Sequence, residues 1–309
     1  MNAELLCMGE PMLEMNQQPA GEDGRTLYLQ GHGGDTSNAA VAAARSGARA
    51  GYITAIGTDA PGDSFIALWK KEGVDSGTVR RRKDAPTGLY VVSHDEDGHH
   101  FTFYRHGSAA SLMGPGDVPE DAIRAARILH LSGISQAISP SACDAGFRAM
   151  EVAKAAGVRV SYDTNYRPAL WPARRAAAVI HAAIGMADIA LPSLEDAEIL
   201  TGLKEVDAVA DFYLRLCPLV VLKLGKEGCL VATRDGRTRV PGRRVRAVDA
   251  TGAGDTFGGS FLARLLAGDA PEEAARYANA AAALATTGYG AVAPIPRAEA
   301  VRAFLAESG

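Results

Sequence analysis

Cysteine, long apolar runs and an excess of one charge sign are all scarce in this chain of 309 residues. Its four cysteines are scattered and form no C-x-x-C pair, so neither a disulfide framework nor a thiolate metal site is predicted. We interpret them as reduced thiols and expect a cytoplasmic protein. No apolar run reaches the roughly 18–20 residues of a membrane span, and no basic stretch precedes an apolar one at the start. We therefore expect neither a membrane protein nor a secretory signal.

The charge balance is close to even, with 32 basic and 36 acidic residues and a net charge of −4. There is no basic excess, so nucleic-acid binding is not expected as the main task of the protein. Hydrophobic residues make up 47% and charged residues 22% of the chain, which is ordinary for a globular protein and excludes a disordered one. A chain of this length buries about three quarters of its unfolded surface, which is enough for a full core.

Short apolar runs alternate with helical stretches along most of the chain. The runs at residues 127–131, 158–162, 187–191 and 219–223 are rich in Leu, Ile and Val, as strands covered on both faces are. Their alternation with helices predicts an α/β fold with a mostly parallel sheet and helices on both sides. No internal repeat or linker divides the chain, so a single domain is predicted.

Two segments, residues 11–30 and 87–106, break this alternation, because each has the pattern of two strands with no helix between them. Such strands form either a small separate sheet that covers the main sheet as a lid, or an extension of the edge of the main sheet. The pattern alone supports both interpretations equally.

The strongest local signal is the segment at residues 248–257, which ends an apolar stretch and opens a helix. Gly252, Ala253 and Gly254 expose backbone N–H groups at the helix N-terminus, where the helix dipole also favours an anion. A carboxylate such as Asp255 repels a phosphate unless it has a chemical task, and accepting the proton of an attacking hydroxyl is such a task. The other interpretation is a Gly-rich turn with Asp255 as a helix cap. No Walker motif occurs in the chain.

A second Gly-rich segment precedes an Ala-rich helix near the start of the chain. Gly33 and Gly34 permit a ligand to approach the backbone closely. Asp35 and Asn38 are short polar groups suited to the hydroxyls of a sugar. The alternative is a plain helix start with Asp35 or Ser37 as the N-cap.

A third candidate segment follows the predicted strand at residues 158–162. Asp163, Asn165 and Arg167 alternate there, at the edge where open α/β sheets bind ligands. The guanidinium of Arg167 is a candidate clamp for an anion. Taken alone, Arg167 is equally well explained as a surface arginine on a loop.

Together, residues 33–38, 57–62 and 249–257 resemble the signature segments of the ribokinase-like (PfkB) carbohydrate kinases, and the resemblance covers essentially the whole chain. It implies one ribokinase-like kinase domain over residues 1–309, with a three-layer α/β/α fold, a mostly parallel central sheet and a small β-sheet lid. It also implies ATP-dependent phosphorylation of a hydroxyl. Asp255 would be the base, and the N–H groups of residues 252–254 would hold the transferring phosphate.

Within that family the chain is most similar to the 2-keto-3-deoxygluconate kinases, through residues 87–90, 103–111, 130–134 and 163–171. The resemblance implies a sugar acid held by Gly33, Gly34, Asp35, Asn38, Tyr90, Phe103, Arg105, Ile134 and Arg167. Two guanidinium groups suit a carboxylate, and a neutral hexose has less use for both. Phe103 departs from the family pattern, which has a tyrosine at this place.

The chain also resembles the family in the segments that bind ATP. The resemblance implies ATP contacts from Asn165, Ser193, Lys223, Gly225, Gly228, Gly252, Gly254 and Asn279. It places Mg²⁺ near Asp196 through water, with Glu195 or Glu198 able to share that role. The family often uses a monovalent cation such as K⁺ beside the phosphate loop, and Asp249 and Thr251 stand at the corresponding place.

Three other functions stay open on the sequence alone. One is another kinase of the same family that acts on fructose or ribose. A second is a dinucleotide oxidoreductase, although no G-x-G-x-x-G follows the first strand. The third is a non-catalytic sugar and nucleotide sensor on the same fold, against which the intact Asp255 argues. An exposed lid sheet favours pairing with a second copy, so a homo-oligomer is expected.

Overall fold

The computed structural model describes residues 3–21, 23–96 and 98–307. Residues 22 and 97, in the two predicted lid segments, lie outside the described residues, as do residues 1, 2, 308 and 309 of the predicted domain. In chain order, the strands are β1 (Leu5–Met8), β2 (Met12–Gln18), β3 (Leu27–Gly33), β4 (Ala50–Ile53), β5 (Ala55–Gly57), β6 (Arg80–Arg82), β7 (Leu89–Asp95), β8 (Gly98–Tyr104), β9 (Ile128–Ser132), β10 (Arg159–Asp163), β11 (Ile189–Leu191), β12 (Leu219–Lys223), β13 (Gly228–Ala232) and β14 (Arg237–Pro241).

The helices lie mostly between the strands of the large sheet. In chain order, they are α1 (Asp35–Arg45), α2 (Ala60–Glu72), α3 (Glu120–Ala125), α4 (Gly133–Ala137), α5 (Pro140–Ala155), α6 (Ala173–Ile184), α7 (Leu194–Thr201), α8 (Val206–Leu214), α9 (Ala253–Ala267), α10 (Pro271–Ala285) and α11 (Ala298–Ala306). Among the described residues, none of these helices is long and apolar enough to cross a membrane.

The large sheet runs through the middle of the protein, with its described strands in the order β14-β13-β12-β11-β10-β9-β1-β4. From β12 to β4 all neighbours are parallel, whereas β13 and β14 add an antiparallel edge. The central parallel strands are buried on both faces, which explains their continuous apolar sequences. The predicted α/β fold with a mostly parallel sheet is confirmed.

Helices cover both faces of this sheet and create two apolar layers. Helices α3, α5, α6 and α8 pack on the face of Leu6 and Met8, and helices α1, α2, α9 and α10 pack on the face of Leu5 and Cys7. Successive side chains of a strand point to opposite faces, so β1 contributes to both layers. This is the predicted three-layer α/β/α arrangement.

The two predicted lid segments form a separate four-stranded sheet in the order β3-β2-β7-β8. Strands β2 and β3 pair antiparallel, as do β7 and β8, and β2 lies parallel to β7 in the middle. No pairing within the described residues joins these strands to the large sheet, so the interpretation as an edge extension is wrong. Leu13, Met15 and Leu89 hold the small sheet in place, because they pack into the apolar layer of α1 and α2.

Candidate active site

Helix α9 begins with an uncapped N-terminus. Gly252 precedes it with a φ of 74°, a conformation that favours glycine, and a Cβ there would lie 2.9 Å from the carbonyl oxygen of Ala291. No side chain in the described part of the chain caps the helix, so the interpretation of Asp255 as a cap is wrong. Gly254 is exposed, and a Cβ on it would lie 3.6 Å from Nζ of Lys223. The first turn therefore offers backbone N–H groups beside an ammonium group, an arrangement that suits a phosphate.

Asp255 lies in this first turn, half-buried and hydrogen-bonded to α1. Nδ2 of Asn38 donates to its Oδ2 at 2.8 Å. The two helices come this close because Gly259 has no side chain: a Cβ there would lie 2.1 Å from the carbonyl oxygen of Ala39. Burial first, and then repulsion from Asp35, raises the pKa of Asp255 to about 7, against the opposing hydrogen bond from Asn38. A carboxyl group with a pKa near neutral can accept a proton from a substrate hydroxyl.

Asp35 is the first residue of α1 and is buried near Asp255. The hydroxyl of Ser132 and the amide of Asn165, the latter at 3.3 Å, donate to its Oδ2, whereas its Oδ1 is buried without a hydrogen-bond partner among the described residues. Burial raises the pKa of Asp35. Gly34 is the N-cap of α1, and none of the described side chains caps this helix, so the interpretation of Asp35 or Ser37 as its N-cap is wrong. The unpartnered oxygen is suited to accept a hydrogen bond from a ligand hydroxyl.

Asp163 and Lys223 form a buried ion pair at the carboxyl ends of β10 and β12. Nζ of Lys223 lies 2.5 Å from Oδ2 of Asp163, and the N–H of Asn165 donates to Oδ1 at 3.2 Å. Asn165 has a φ of 31°, an uncommon conformation for a residue with a side chain, and from there its amide reaches Asp35. The third predicted segment thus lies beside the second one.

Asp196 holds the loop that follows β10. Its Oδ2 accepts hydrogen bonds from the hydroxyl of Thr164 at 2.8 Å and from the N–H of Tyr166 at 3.1 Å. Ser193 caps α7, because its hydroxyl accepts from the N–H of Asp196 at 3.1 Å. Among the described residues no three His, Cys, Asp or Glu side chains are grouped to hold a metal ion. A Mg²⁺ beside Asp196 would therefore take most of its ligands from phosphate and water oxygens.

Asp249 closes the loop that precedes α9, and each of its carboxylate oxygens has a partner. Oδ1 accepts from the N–H of Thr251 at 2.9 Å and from its hydroxyl at 2.6 Å. Oδ2 accepts from the N–H of Gly290 at 2.9 Å. The two residues predicted for a monovalent cation thus contact each other, and residues 288–293 reach Asp249 through the N–H of Gly290.

Tyr90 and Phe103 share one face of the small sheet. The hydroxyl of Tyr90 donates to Oε2 of Glu14 at 2.5 Å, and its ring lies 5.6 Å from that of Phe103. Gly33 leaves room for this tyrosine, since a Cβ there would lie 2.7 Å from the hydroxyl oxygen. Burial first, and then the neighbouring Glu14 carboxylate, raise the pKa of Tyr90.

The two predicted cations of the sugar site, Arg105 and Arg167, have different surroundings. Nη2 of Arg105 lies 2.9 Å from Oε2 of the buried Glu10. Arg167 is exposed, donates to the carbonyl of Tyr166 at 2.9 Å and has no ion-pair partner in the part of the chain that is described. Its charge opposes the rise in the pKa of Asp35, so it lies within electrostatic reach of the buried carboxylates. Of the two, Arg167 has its charge available for an incoming anion.

Three more predicted residues lie at the same edge of the large sheet. Ile134 is half-buried at the start of α4, directly after β9. Gly225 has a φ of 56° in the turn that follows β12. The N–H of Ala253 donates to the carbonyl of Ala250 at 3.2 Å, which engages one of the three N–H groups predicted for the phosphate.

Two residues predicted to contact the nucleotide are engaged in packing. The amide of Asn279 is buried and donates to the carbonyls of Val240 at 3.1 Å and Pro241 at 3.2 Å, which joins α10 to β14. Gly228 begins β13, and a Cβ there would lie 2.2 Å from the carbonyl oxygen of Val240. The Asn279 amide is therefore engaged by the backbone of β14, and Gly228 permits the close approach of β14 to β13.

Neither Glu10 nor Glu14 is predicted from the sequence, although each contacts a predicted sugar residue. Glu10 follows β1 at the carboxyl edge of the large sheet, and the rule that ligands bind at this edge would have found it. Glu14 is the register partner of Tyr90 in the β2–β7 pair, and no sequence signal gives that register.

Similar proteins belong to one enzyme family. The family model of the pfkB family carbohydrate kinases matches residues 6–298. The chain is 35% identical over 287 residues to a 2-dehydro-3-deoxygluconokinase of Bacillus subtilis (strain 168), covering 91% of this chain and 88% of that protein. It is 36% identical over 280 residues to Fructokinase-1 of Oryza sativa subsp. japonica, covering 87% and 86% of the two chains. A fructokinase crystal structure with bound ATP from Xylella fastidiosa has a TM-score of 0.89 at 28% identity, covering 100% of this chain and 99% of that one.

The fold, the uncapped glycine turn and the carboxylate behind it define a phosphotransferase that acts on a hydroxyl. The chain belongs to the pfkB family of carbohydrate kinases. The predicted family and the predicted class of enzyme are confirmed, and the interpretation as a dinucleotide oxidoreductase is wrong.

Proposed function

We propose that this kinase transfers the γ-phosphoryl group of ATP to the terminal hydroxyl of 2-keto-3-deoxygluconate. The observation that carries the substrate class is the exposed guanidinium of Arg167, which has no ion-pair partner among the described residues and lies near Asp35. The carboxylate of a sugar acid supplies the missing counter-charge. The similarity to the Bacillus subtilis 2-dehydro-3-deoxygluconokinase, at 35% identity, supports the same substrate.

Asp255 acts as the base of the transfer. The hydroxyl oxygen of the sugar attacks the γ-phosphorus, the bond from phosphorus to the β,γ-bridging oxygen breaks, and ADP leaves. The hydroxyl proton passes to the carboxylate of Asp255, whose pKa of about 7 leaves it ionised at slightly alkaline pH. The N–H groups of Gly252 and Gly254, with Ala253 and Lys223, stabilise charge on the phosphoryl oxygens.

The sugar lies between the small sheet and the carboxyl edge of the large one. Oδ1 of Asp35 accepts a hydrogen bond from a sugar hydroxyl. Arg167 and Arg105 bind the carboxylate of the sugar acid. The backbone of Gly33 and Gly34 permits close approach of the sugar. Asn38, Tyr90, Phe103 and Ile134 complete the proposed sugar contacts. The small sheet then excludes water and limits hydrolysis of ATP.

The nucleotide lies on the other side of Asp255. Its proposed contacts are Asn165, Ser193, Lys223, Gly225, Gly228, Gly252, Gly254 and Asn279. Mg²⁺ would neutralise charge on the phosphates, and Asp196 would help to hold it through water. Asp249 and Thr251, with the carbonyls of residues 288–293, suit a monovalent cation such as K⁺.

The first test is ATP-to-ADP turnover with Mg²⁺ on 2-keto-3-deoxygluconate, 2-ketogluconate, fructose, ribose and adenosine, each with and without K⁺. We expect the highest kcat/KM for the keto-deoxy acid. A higher kcat/KM for a neutral sugar contradicts the carboxylate role of the arginines and leaves the role of Asp255 intact. Absence of turnover on all five contradicts the proposed substrate class.

A fructokinase is the second candidate, and one observation favours it. Arg105 already shares its charge with Glu10 at 2.9 Å, so the site has one cation fewer for a substrate carboxylate than the sequence predicts. The rice fructokinase is 36% identical to this chain. Fructose in the same substrate series separates the two candidates.

A homo-oligomer that forms through the small sheet is also proposed. Large apolar side chains on β3 and β8 are exposed: Leu27 at 49%, Leu29 at 62%, Phe101 at 52%, Phe103 at 48% and Tyr104 at 61%. Light scattering should give a multiple of the 32.2 kDa chain mass, and a mass of one chain contradicts the proposal. The free thiols suit the reducing cytoplasm as the location, which fractionation of cells tests.

A further inference from the structure

An ion pair between Glu10 and Arg105 joins the large sheet to the small one. Glu10 follows β1 of the large sheet, and Arg105 directly follows β8 of the small sheet. Nη2 of Arg105 lies 2.9 Å from Oε2 of Glu10, and their side chains are 16% and 0% exposed. The arginine that the proposed function places against the sugar therefore has a buried carboxylate behind it.

The position of Glu10 is defined by its neighbours. The hydroxyl of Ser108 donates to its Oε1 at 3.2 Å. Gly88 leaves space for this carboxylate, because a Cβ there would lie 3.2 Å from Oε1. A Cβ on Gly34 would lie 2.4 Å from the backbone carbonyl oxygen of Glu10. The Glu10 carboxylate is thus held in one place, and the backbone of Glu10 lies against the proposed sugar-binding Gly34.

The guanidinium of Arg105 is held on several sides. Besides Glu10, Nη2 of Arg105 contacts the sulfur of Met12 at 2.9 Å. The guanidinium carbon Cζ lies 5.0 Å from the ring centre of Phe103. Nη1 donates no hydrogen bond within the described residues, and Nε is buried without a partner. The guanidinium is therefore oriented through Nη2, and its Nε and Nη1 remain able to donate hydrogen bonds to a ligand.

Stability alone does not explain this pair. Removing two charges from water costs about as much as their attraction returns, and apolar residues of similar size are often at least as stable. Burial raises the pKa of Glu10 to about 7, and Arg105 opposes that rise, so the ionised carboxylate depends on its partner. A costly buried charge beside a proposed substrate-binding group points to a role in orienting that group.

We propose that Glu10 is the positioning residue for Arg105: it fixes the guanidinium on the small sheet in the orientation that binds the sugar. Glu10 does not touch the sugar itself and acts through Arg105. The inference rests on the proposed function to the extent that Arg105 is taken to contact the sugar, whichever sugar is the preferred one.

The test is a double-mutant cycle with Glu10→Gln and Arg105→Met, run on the sugar that the native enzyme prefers. Each single variant should raise the KM for the sugar about tenfold, the loss expected when a charged hydrogen bond is removed or misdirected. The double variant should be no worse than Arg105→Met, because Glu10 acts through the arginine. The KM for ATP should stay within about twofold of the native value in all three.

Asp269→Asn is the matched control. Asp269 is a carboxylate that accepts two hydrogen bonds from Arg264, at 2.7 and 2.8 Å, at the far end of α9. The same chemical change there should lower thermal stability and leave the KM for the sugar unaltered. Ser108→Ala keeps both charges of the Glu10–Arg105 pair and should raise the KM for the sugar by about threefold, so the proposal can be tested even if Glu10→Gln does not fold.

Three results overturn the proposal. If Glu10→Gln lowers the melting temperature but has the native KM for the sugar, Glu10 is a structural residue only. If the effects of the two substitutions multiply, Glu10 does not act through Arg105. If Arg105→Met has the native KM for the sugar, Arg105 does not contact the sugar, and the proposal is overturned because it rests on that contact. If the native enzyme prefers a neutral sugar, the proposed substrate is contradicted. The double-mutant cycle is then run with that neutral sugar and still tests the role of Glu10.

Discussion

The amide of Asn38 donates a 2.8 Å hydrogen bond to the carboxylate of Asp255, across 217 positions of the chain. This bond stabilises the charged carboxylate and therefore opposes the burial that raises the pKa of Asp255. It forms because Gly259 on α9 lies against the backbone of Ala39 on α1. The contact between two helices thus adjusts the acidity of the proposed base.

Replacing Asp255 by asparagine should abolish proton transfer and preserve nucleotide binding. Asparagine keeps the size of the side chain but cannot take the hydroxyl proton, so kcat should fall by about 10³-fold. The Kd for ATP, measured by titration calorimetry, should stay within about twofold of the native value. A near-native kcat in this variant would show that another group is the base.

The pH dependence of the native enzyme should report the same carboxyl group. Asp255 must be ionised to act as a base, so kcat/KM should rise with pH, reach half its maximum near pH 7 and level off at more alkaline pH. In Asn38→Ala the carboxylate loses a hydrogen bond that favours its charged form, so its pKa rises. The half-maximal pH should therefore move upward by about 0.5–1 unit. An unchanged midpoint in this variant contradicts the assignment of the acid limb to Asp255.

Arg167→Met should separate sugar acids from neutral sugars. The loss of an unpaired guanidinium that binds a carboxylate should reduce kcat/KM for 2-keto-3-deoxygluconate by about 10–100-fold. Activity on fructose should change far less. Arg174 on α6 is also an exposed arginine, and Arg174→Met serves as the control that should leave both activities near native values. Equal losses on the acid and on fructose would refute the carboxylate role of Arg167.

Glu72→Gln should destabilise the protein because it removes the buried ion pair with Arg45. Both oxygens of Glu72 accept from Arg45 at 2.9 Å, and Nη1 of Arg45 also donates to the carbonyls of Val292 at 3.1 Å and Ile295 at 2.5 Å. Loss of the carboxylate leaves this arginine buried with its charge unbalanced, which should cost about 3 kcal/mol in the free energy of unfolding. Urea denaturation measures this cost.

The effect of Glu72→Gln should depend on pH. Hydrogen bonds from Arg45 hold the pKa of Glu72 below its usual range, so the ionised pair adds stability at neutral pH. That stability is lost as the pH falls through the folded-state pKa, and the difference between variant and native protein should shrink in acid. Glu273→Gln, which alters an exposed ion pair with Arg276, is the control and should change stability by less than about 0.5 kcal/mol. An equal cost for both substitutions would contradict the burial argument.

Much of the fold is readable from the sequence because its signals are local. Strands covered on both faces need continuous apolar runs, and their alternation with helices predicts a parallel sheet. The glycines at residues 252 and 254 mark an open helix N-terminus, and Asp255 stands out because a carboxylate is unexpected beside a phosphate. These inferences use neighbours along the chain, so they did not depend on knowing which elements touch.

The roles of other residues depend on contacts between distant segments. The two strand pairs at residues 11–30 and 87–106 form one separate sheet because β2 and β7 pair with each other, a register the alternation of apolar residues leaves open. The sequence predicts that the charge of Arg105 is available to the substrate carboxylate. In the structure Arg105 pairs with Glu10, which lies 95 positions away in the chain and is not predicted as its partner. The resemblance predicts that Asn279 contacts the nucleotide, whereas in the structure its amide donates hydrogen bonds to the backbone of β14.

By itself, the sequence determined the layer architecture, the open helix terminus and the chemical type of each reacting group, since these follow from residue periodicity and side-chain chemistry. The tertiary structure alone decided which carboxylates repel one another, which arginine is left unpaired and which amide faces Asp255. Those properties arise from distances of a few ångströms between segments far apart in the chain, where burial strengthens every charge interaction.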